Sequence, residues 1–146
     1  MLYQTSPLDF SPEFDSAGIF IEHAGEILLL HRNPNDDFCG NKYGHLVGHS
    51  DAGENHLDTI IRETREEIGL GLGPYLNELK YFGKLLVRYP QFDFNHYLYQ
   101  LTFDRRPQID LDLNEHDSFV WVPPEKALFM PLVPDLDSVI NLVYRL

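Results

Sequence analysis

The segment from Asn55 to Gly69 constrains the fold more than any other part of the chain. Its apolar positions Leu57, Ile60, Ile61, Thr64 and Ile68 recur at helical spacing and fall on one face. Asn55 is suited to cap the N-terminus, and Asp58 places a negative charge in the first turn, where the helix dipole favours it. Gly69 is a natural stop. An amphipathic helix needs a layer to pack on, and the flanking sequence reads as strands. Ala17–His23 and Glu26–His31 are apolar runs joined by Ala24-Gly25, which predicts a hairpin. Tyr81–Tyr89 and Phe94–Phe103 predict an antiparallel pair around a Pro-containing turn. Ser118–Val122 predicts a short strand carrying Trp121, and Asp135–Leu146 a closing helix with Leu136, Val139, Ile140 and Val143 inward. The turn formers between Arg32 and Tyr43 predict an exposed loop, suited to the rim of a pocket. The expected fold is therefore α+β, in one domain spanning 1–146, with 1–16 as an N-terminal arm anchored by Tyr3, Phe10 and Phe14.

Charge narrows the function. Eleven Lys and Arg against 23 Asp and Glu leave a formal charge of −12, with no basic stripe to meet a phosphate backbone. Non-specific nucleic-acid binding is excluded on that ground, and anionic membranes are repelled. A phosphorylated substrate would need bound cations to offset the same repulsion. The single cysteine, Cys39, can form neither an intramolecular disulfide nor a thiolate zinc site, which suits a reducing compartment. Met1–Phe14 holds no Lys or Arg and no continuous apolar run, and no segment approaches the roughly 18 apolar residues of a membrane span. The expected location is the cytoplasm.

Glu63, Glu66 and Glu67 share a sector of the helix. Like charges at these spacings cost about 0.2–0.5 kcal/mol per pair unless something cationic sits among them. Arg62 and Arg65 could pair with them as part of an ordinary solvated face. The other solution is a divalent cation, and an all-oxygen carboxylate set suits Mg²⁺ or Mn²⁺.

The wider spacing decides between these readings. From Gly48 the chain runs Gly-x5-Glu54-x7-Arg62-Glu63-Thr64-x-Glu66-Glu67-x-Gly69-Leu70. A chance match at seven fixed positions has a probability on the order of 10⁻⁸ per register. This run, Gly48 to Leu70, resembles the signature box of the Nudix hydrolases. The resemblance implies an α/β/α sandwich with a mixed sheet, the box forming a loop, a helix and a second loop. It implies metal-dependent attack of water on a phosphate of a nucleoside diphosphate linked to another group. Carried over residue by residue, it makes Glu63, Glu66, Glu67 and the carbonyl of Gly48 the Mg²⁺ (or Mn²⁺) ligands. Arg62 would orient Glu63, while Glu54 and Gly69 would be structural. The general base would be Glu63, Glu66 or Glu115, the last because several members place a further metal-binding or basic glutamate ahead of a late strand. Dimers are common in the family, and Met1–Asp15 could serve as an exchanged or pocket-covering arm.

The chain departs from the family before the box. Where the family usually reads Trp-x-x-Pro-Gly-Gly, this sequence has Tyr43-Gly44-His45-Leu46-Val47-Gly48. Val47 at a glycine position implies that no strongly positive φ is needed there. Thr64 replaces a bulky aliphatic, its methyl able to pack and its hydroxyl able to bond back along the helix. His45 and His49 match no zinc spacing and are read as hydrogen-bonded structural residues. For a substrate, Tyr43, Tyr81, Tyr89 and Phe92 are candidates to stack a base, and Arg32, Arg88, Arg105 and Arg106 to touch phosphate. Nothing selects among nucleoside triphosphates, nucleotide sugars, ADP-ribose and dinucleoside polyphosphates. Two alternatives use the same fold: a nucleotide-sensing module without turnover, and an isopentenyl diphosphate isomerase relative. The second would need its cysteine in an Asn-Thr-Cys context, which Cys39 lacks.

Overall fold

A computed structural model describes residues 1–146. Eight strands form one mixed sheet: β1 (Leu2–Tyr3), β2 (Pro12–His23), β3 (Glu26–Arg32), β4 (Tyr43–Gly44), β5 (Leu46–His49), β6 (Lys80–Arg88), β7 (Asp93–Phe103) and β8 (His116–Val122). The main path runs β1-β6-β7-β2-β3-β4, with β5 against β2 and β8 against β3. Only β2 and β7 pair parallel, from Pro12↔Asp93 to His23↔Phe103. Three α-helices complete the chain: α1 (His56–Ile68), α2 (Pro124–Ala127) and α3 (Leu136–Tyr144). None is long and apolar enough to cross a membrane.

Side chains alternate across the central strands, so each strand feeds two cores. Ala17, Ile19 and Ile21 of β2, with Leu28 and Leu30 of β3, pack with Ile60 and Ile68 of α1. Phe20, Ile27 and Leu29 face the other way, against Ala127 of α2 and Leu136, Val139 and Ile140 of α3. A sheet covered on both faces has no polar side, which is why β2 and β3 read as unbroken apolar runs. The resulting layers are the expected α/β/α sandwich.

Local chemistry sets the element ends. The Asn55 side chain accepts the Asp58 N–H at 2.8 Å, capping α1 as its sequence predicts. Gly69 closes it in the left-handed conformation at φ 69°, its N–H returning to the Arg65 carbonyl. Ala24 and Gly25, at φ 50° and 79°, form the two-residue turn between β2 and β3.

Several boundaries differ from the sequence reading. The hairpin ladder extends only from His23↔Glu26 to Glu22↔Ile27. Farther from the turn, β2 leaves β3 to pair with β5 and β3 takes β4 on that edge, while β8 runs along its other edge from Ile27 to Arg32. β2 begins at Pro12, so 12–16 belong to the sheet, and Leu2–Tyr3 pair with Val87 and Leu86 of the same chain. Strands β4 and β5, in a stretch with no alternating pattern, had no sequence signal. On α1, Leu57 is 37% exposed, because the first turn projects beyond the sheet. Thr59 is buried in its place, by the loop that folds over the other side of the helix.

Thr64 is fully buried, and its hydroxyl makes no hydrogen bond at all, rather than the expected bond back along the helix. An unpaired buried hydroxyl costs about 1–3 kcal/mol. Replacing it by the isosteric Thr64→Val should therefore raise stability by about 1 kcal/mol, seen as a melting midpoint higher by about 2–4 °C. A lower midpoint would show that the hydroxyl is satisfied.

Candidate active site

The box loop and α1 are joined through one guanidinium. Arg62 Nε and Nη2 donate to the two oxygens of Glu54, each at 3.0 Å. Nη2 also reaches the His49 carbonyl at 3.0 Å, while Nη1 donates to Glu63 Oε1 at 2.8 Å and Glu66 Oε2 at 3.2 Å. Arg62 thus orients Glu63 and holds Glu66, leaving the second oxygen of each carboxylate without a partner. Glu54 also accepts from the Thr59 hydroxyl at 2.8 Å and the Asp51 N–H at 3.0 Å, closing the loop on the helix. The Arg62 hydrogen bonds hold the Glu54 carboxyl at about 2. Glu63 is pushed the other way, above its usual range, because burial outweighs the pull of Arg62.

Gly48 lies beneath Glu63. A Cβ there would stand 2.1 Å from Glu63 Cδ, so the position must be glycine for space. Its φ is not in the left-handed region, and neither is that of Val47, in keeping with the tolerance of a side chain at 47.

The far end of α1 positions the rest. The N–H groups of Asp110 and Asp112 donate to the carbonyls of Ile68 and Glu67 at 2.9 and 2.8 Å. This docks the loop before β8 on the last turn of the helix. Gly69 permits the approach, since a Cβ there would come within 2.9 Å of Asp110 Cβ. From the other side the Asn33 N–H donates to the Glu115 carbonyl at 2.9 Å, and its side-chain amide to the carbonyls of Leu113 and Asn114. Glu115 is thereby brought beside Glu67, 48 positions away in the chain. Burial first, and the neighbouring Glu67 charge second, raise the Glu115 carboxyl above its usual range. His116 arrives with it, its Nδ1 3.3 Å from Glu67 Oε2.

Glu63, Glu66, Glu67 and Glu115, but not His116, line a cavity of about 990 Å³. Asp51, Glu63, Glu66, Glu67, Asp112 and Glu115 make the acidic lining, with Gly48 between strand and helix. Phe14, Phe38, Tyr89, Phe92 and Phe94 make the aromatic lining. Phe14 stacks on Phe94 at 4.9 Å and on His49 at 4.2 Å. Two features suit the acidic lining to a divalent cation. The missing side chain at 48 leaves room for Glu63, and Glu67 Oε2 is buried without a hydrogen bond.

The substrate candidates divide. Tyr89, Phe92 and Arg32 line the cavity. Tyr43 packs instead into the core beside α3, and Tyr81 stacks on His56 at 5.2 Å outside the cavity. Arg88 is held by Asp93 at 2.8 Å, Arg106 by Glu26 at 2.7 Å, and exposed Arg105 does not reach the site. Phe38, Phe94 and His116 had no site role in the sequence reading, and Phe14 only that of an arm anchor, because strand pairing and loop docking bring them in and no local spacing marks them. His45 sits behind the cavity, Nε2 to Nε2 with His96 at 3.2 Å, and His96 meets the Ser16 hydroxyl at 2.7 Å. Burial lowers both imidazoles, so this is a neutral structural pair. Cys39 is buried and outside the cavity lining.

The Glu54 link predicts an acid response. Its folded value of about 2 lies below its usual 4.5, so its contribution to stability is complete above about 4.5 and is lost as pH falls towards 2. Denaturant midpoints from pH 6 to 2 should fall less steeply for Glu54→Gln than for the wild type. Parallel curves would remove Glu54 from the acid transition.

Comparison with known proteins agrees with this geometry. A family model described as the NUDIX domain matches residues 12–143. The CTP pyrophosphohydrolase of Escherichia coli (strain K12) is 29% identical over 118 residues, 78% of this chain and 78% of that protein. The MutT protein from Methanosarcina mazei Go1 superposes with a TM-score of 0.73 at 22% identity, covering 95% of this chain and 96% of that one. The NUDIX domain of Shewanella oneidensis NrtR, crystallised with ADP ribose, gives 0.75 at 16% identity over 97% and 93%. With the family model spanning nearly the whole chain and the box residues gathered on one cavity, the chain belongs to the Nudix hydrolases and is a hydrolase acting on diphosphate bonds.

Proposed function

We propose that the protein hydrolyses a nucleoside triphosphate or a related nucleoside diphosphate derivative, water attacking the diphosphate linkage with a divalent cation bound. The observation that carries this reading is one cavity lined by both six carboxylates and five aromatic rings. A nucleotide has the matching polarity. Its phosphates need cations near an acidic surface, and its base needs a ring to stack on. The name of the Escherichia coli relative, a CTP pyrophosphohydrolase, puts nucleoside triphosphates first among the candidates.

Glu63, Glu66, Glu67 and the Gly48 carbonyl would hold Mg²⁺ or Mn²⁺. Such an ion, when bound, neutralises phosphate charge and lowers the pKa of a water, an effect worth several kcal/mol. Arg62 keeps one oxygen of Glu63 and one of Glu66 occupied, so that each presents its other oxygen in a fixed rotamer. The base would be Glu63, Glu66 or Glu115, and of the three only Glu115 makes no hydrogen bond to Arg62. Phe14, Phe92 and Phe94 would stack the base, and Arg32, oriented by Asp36 at 2.6 Å, borders the same space. A free Cys39 suits the reducing cytoplasm.

The test is Mg²⁺-dependent hydrolysis across nucleoside triphosphates, nucleotide sugars, ADP-ribose and dinucleoside polyphosphates. Glu67→Gln should stay folded and lose about a thousandfold in turnover. Wild-type turnover in that variant would remove Glu67 from the site. A chain that cleaves no member of the panel, yet gains melting temperature from a nucleotide only with Mg²⁺ present, would be a sensing module instead.

A further inference from the structure

We propose that Glu67, Glu115 and His116 form a cation site with a nitrogen ligand, and that it takes a first-row transition ion such as Mn²⁺ in preference to Mg²⁺. The inference rests on the hydrolase reading for what the ion would do, and on its own geometry for where it binds.

The three residues each bring one ligand atom within 4.8 Å of the others. Proximity of acidic groups alone would mean little, but two atoms here are also left without partners. Glu67 is 7% exposed and His116 6%, and neither Glu67 Oε2 nor His116 Nδ1 makes a hydrogen bond. They lie 3.3 Å apart without the alignment of a bond to each other. Buried polar atoms left in this state are costly. A cation between them satisfies both and offsets the repulsion of the Glu67 and Glu115 carboxylates.

No lysine or arginine hydrogen-bonds to any of the three, and the only ion-pair partner of Glu67 is His116 itself. Arg62 donates to Glu54, Glu63, Glu66 and the His49 carbonyl, and Arg32 donates to Asp36 and acts on Glu115 through its charge alone. Nor is the convergence an accident of flexible side chains. The Asp112 N–H is bonded to the Glu67 carbonyl and the Asn33 N–H to the Glu115 carbonyl, while His116 pairs with Arg32 across β3 and β8. The three backbones are thus fixed relative to one another.

The donor set chooses the ion. Glu63 and Glu66 offer oxygen alone, which suits Mg²⁺. An imidazole beside two carboxylates is a borderline set, bound more tightly by Mn²⁺ and its heavier neighbours than by Mg²⁺. His116 is therefore the residue that separates this position from the oxygen-only one offered by Glu63 and Glu66.

The experiment uses Mn²⁺ alone, added to the intact protein without nucleotide. Electron spin echo modulation should show ¹⁴N coupling from a coordinated imidazole in the wild type. His116→Asn should abolish that coupling and weaken Mn²⁺ about tenfold or more, with Mg²⁺ binding unchanged within about twofold. Bound Mn²⁺ without ¹⁴N coupling in the wild type, or coupling that persists in His116→Asn, overturns the proposal whether or not the variant is stable. If Mn²⁺ binds through oxygen only and the protein still cleaves a nucleotide, the nitrogen site fails while the hydrolase reading stands. If no divalent ion binds and nothing is cleaved, both fail.

Discussion

Everything at the site depends on how one guanidinium is divided. Arg62 donates to three carboxylates and one carbonyl, and only a planar fork with five donors can do this from a single side chain. Its bidentate hold on Glu54 fixes the loop to α1, and its Nη1 fixes Glu63 and Glu66 relative to that loop. Lysine offers one point charge and could keep one of these arrangements at a time. The position of Gly48 follows, because Glu63 so held occupies the volume where any other residue would place a Cβ. Loop, helix start and carboxylates are one mechanical unit.

The other half of the site comes from the sheet. Because β8 pairs with β3 rather than lying near α1 in sequence, the residues just before it must cross the end of the helix to reach their strand. Their backbone N–H groups satisfy the last carbonyls of α1, which a helix leaves open at its C-terminus. The same docking carries Glu115 and His116 to Glu67. The aromatic lining has a parallel origin. Pairing of β2 with β7 puts Phe14 opposite Phe94, and these rings stack at the cavity wall.

What the sequence discloses follows the range of the physics involved. The α1 cap and stop are local chemistry, and Asn55 and Gly69 are legible from neighbours three or four residues away. The box is legible because its function demands fixed residue types at fixed spacing. The span of β2, the inward turn of Phe14 and the exposure of Leu57 depend on partners over forty positions away. Periodicity put Leu57 on the right face of the helix, yet a helix face is buried only where a sheet lies beneath it. Tyr43, Tyr81 and Arg88 were read by residue type alone, and core packing, a histidine stack and an aspartate claim them. His116 is the sharpest case. Nothing in Asn114-Glu115-His116-Asp117 distinguishes it from a solvated loop until the C-terminus of α1 is placed beside it.

The same long-range assembly gives the cavity an electrostatic deficit. Six carboxylates share it, and among its lining residues Arg32 is the only arginine or lysine, itself bound to Asp36. In a chain of net charge −12, the surroundings do not compensate. Some of the repulsion is relieved by Arg62, and some by the raised Glu63 and Glu115 carboxyls, which hold protons more readily than ordinary carboxyls do. The remainder is unrelieved, and Glu67 Oε2 and His116 Nδ1 lie buried without hydrogen bonds beside it. A cation that binds this fold but not the unfolded chain stabilises it by linkage. The acids that repel one another in this cavity are thus the ones through which divalent ions would strengthen the fold and admit a polyphosphate to so negative a protein.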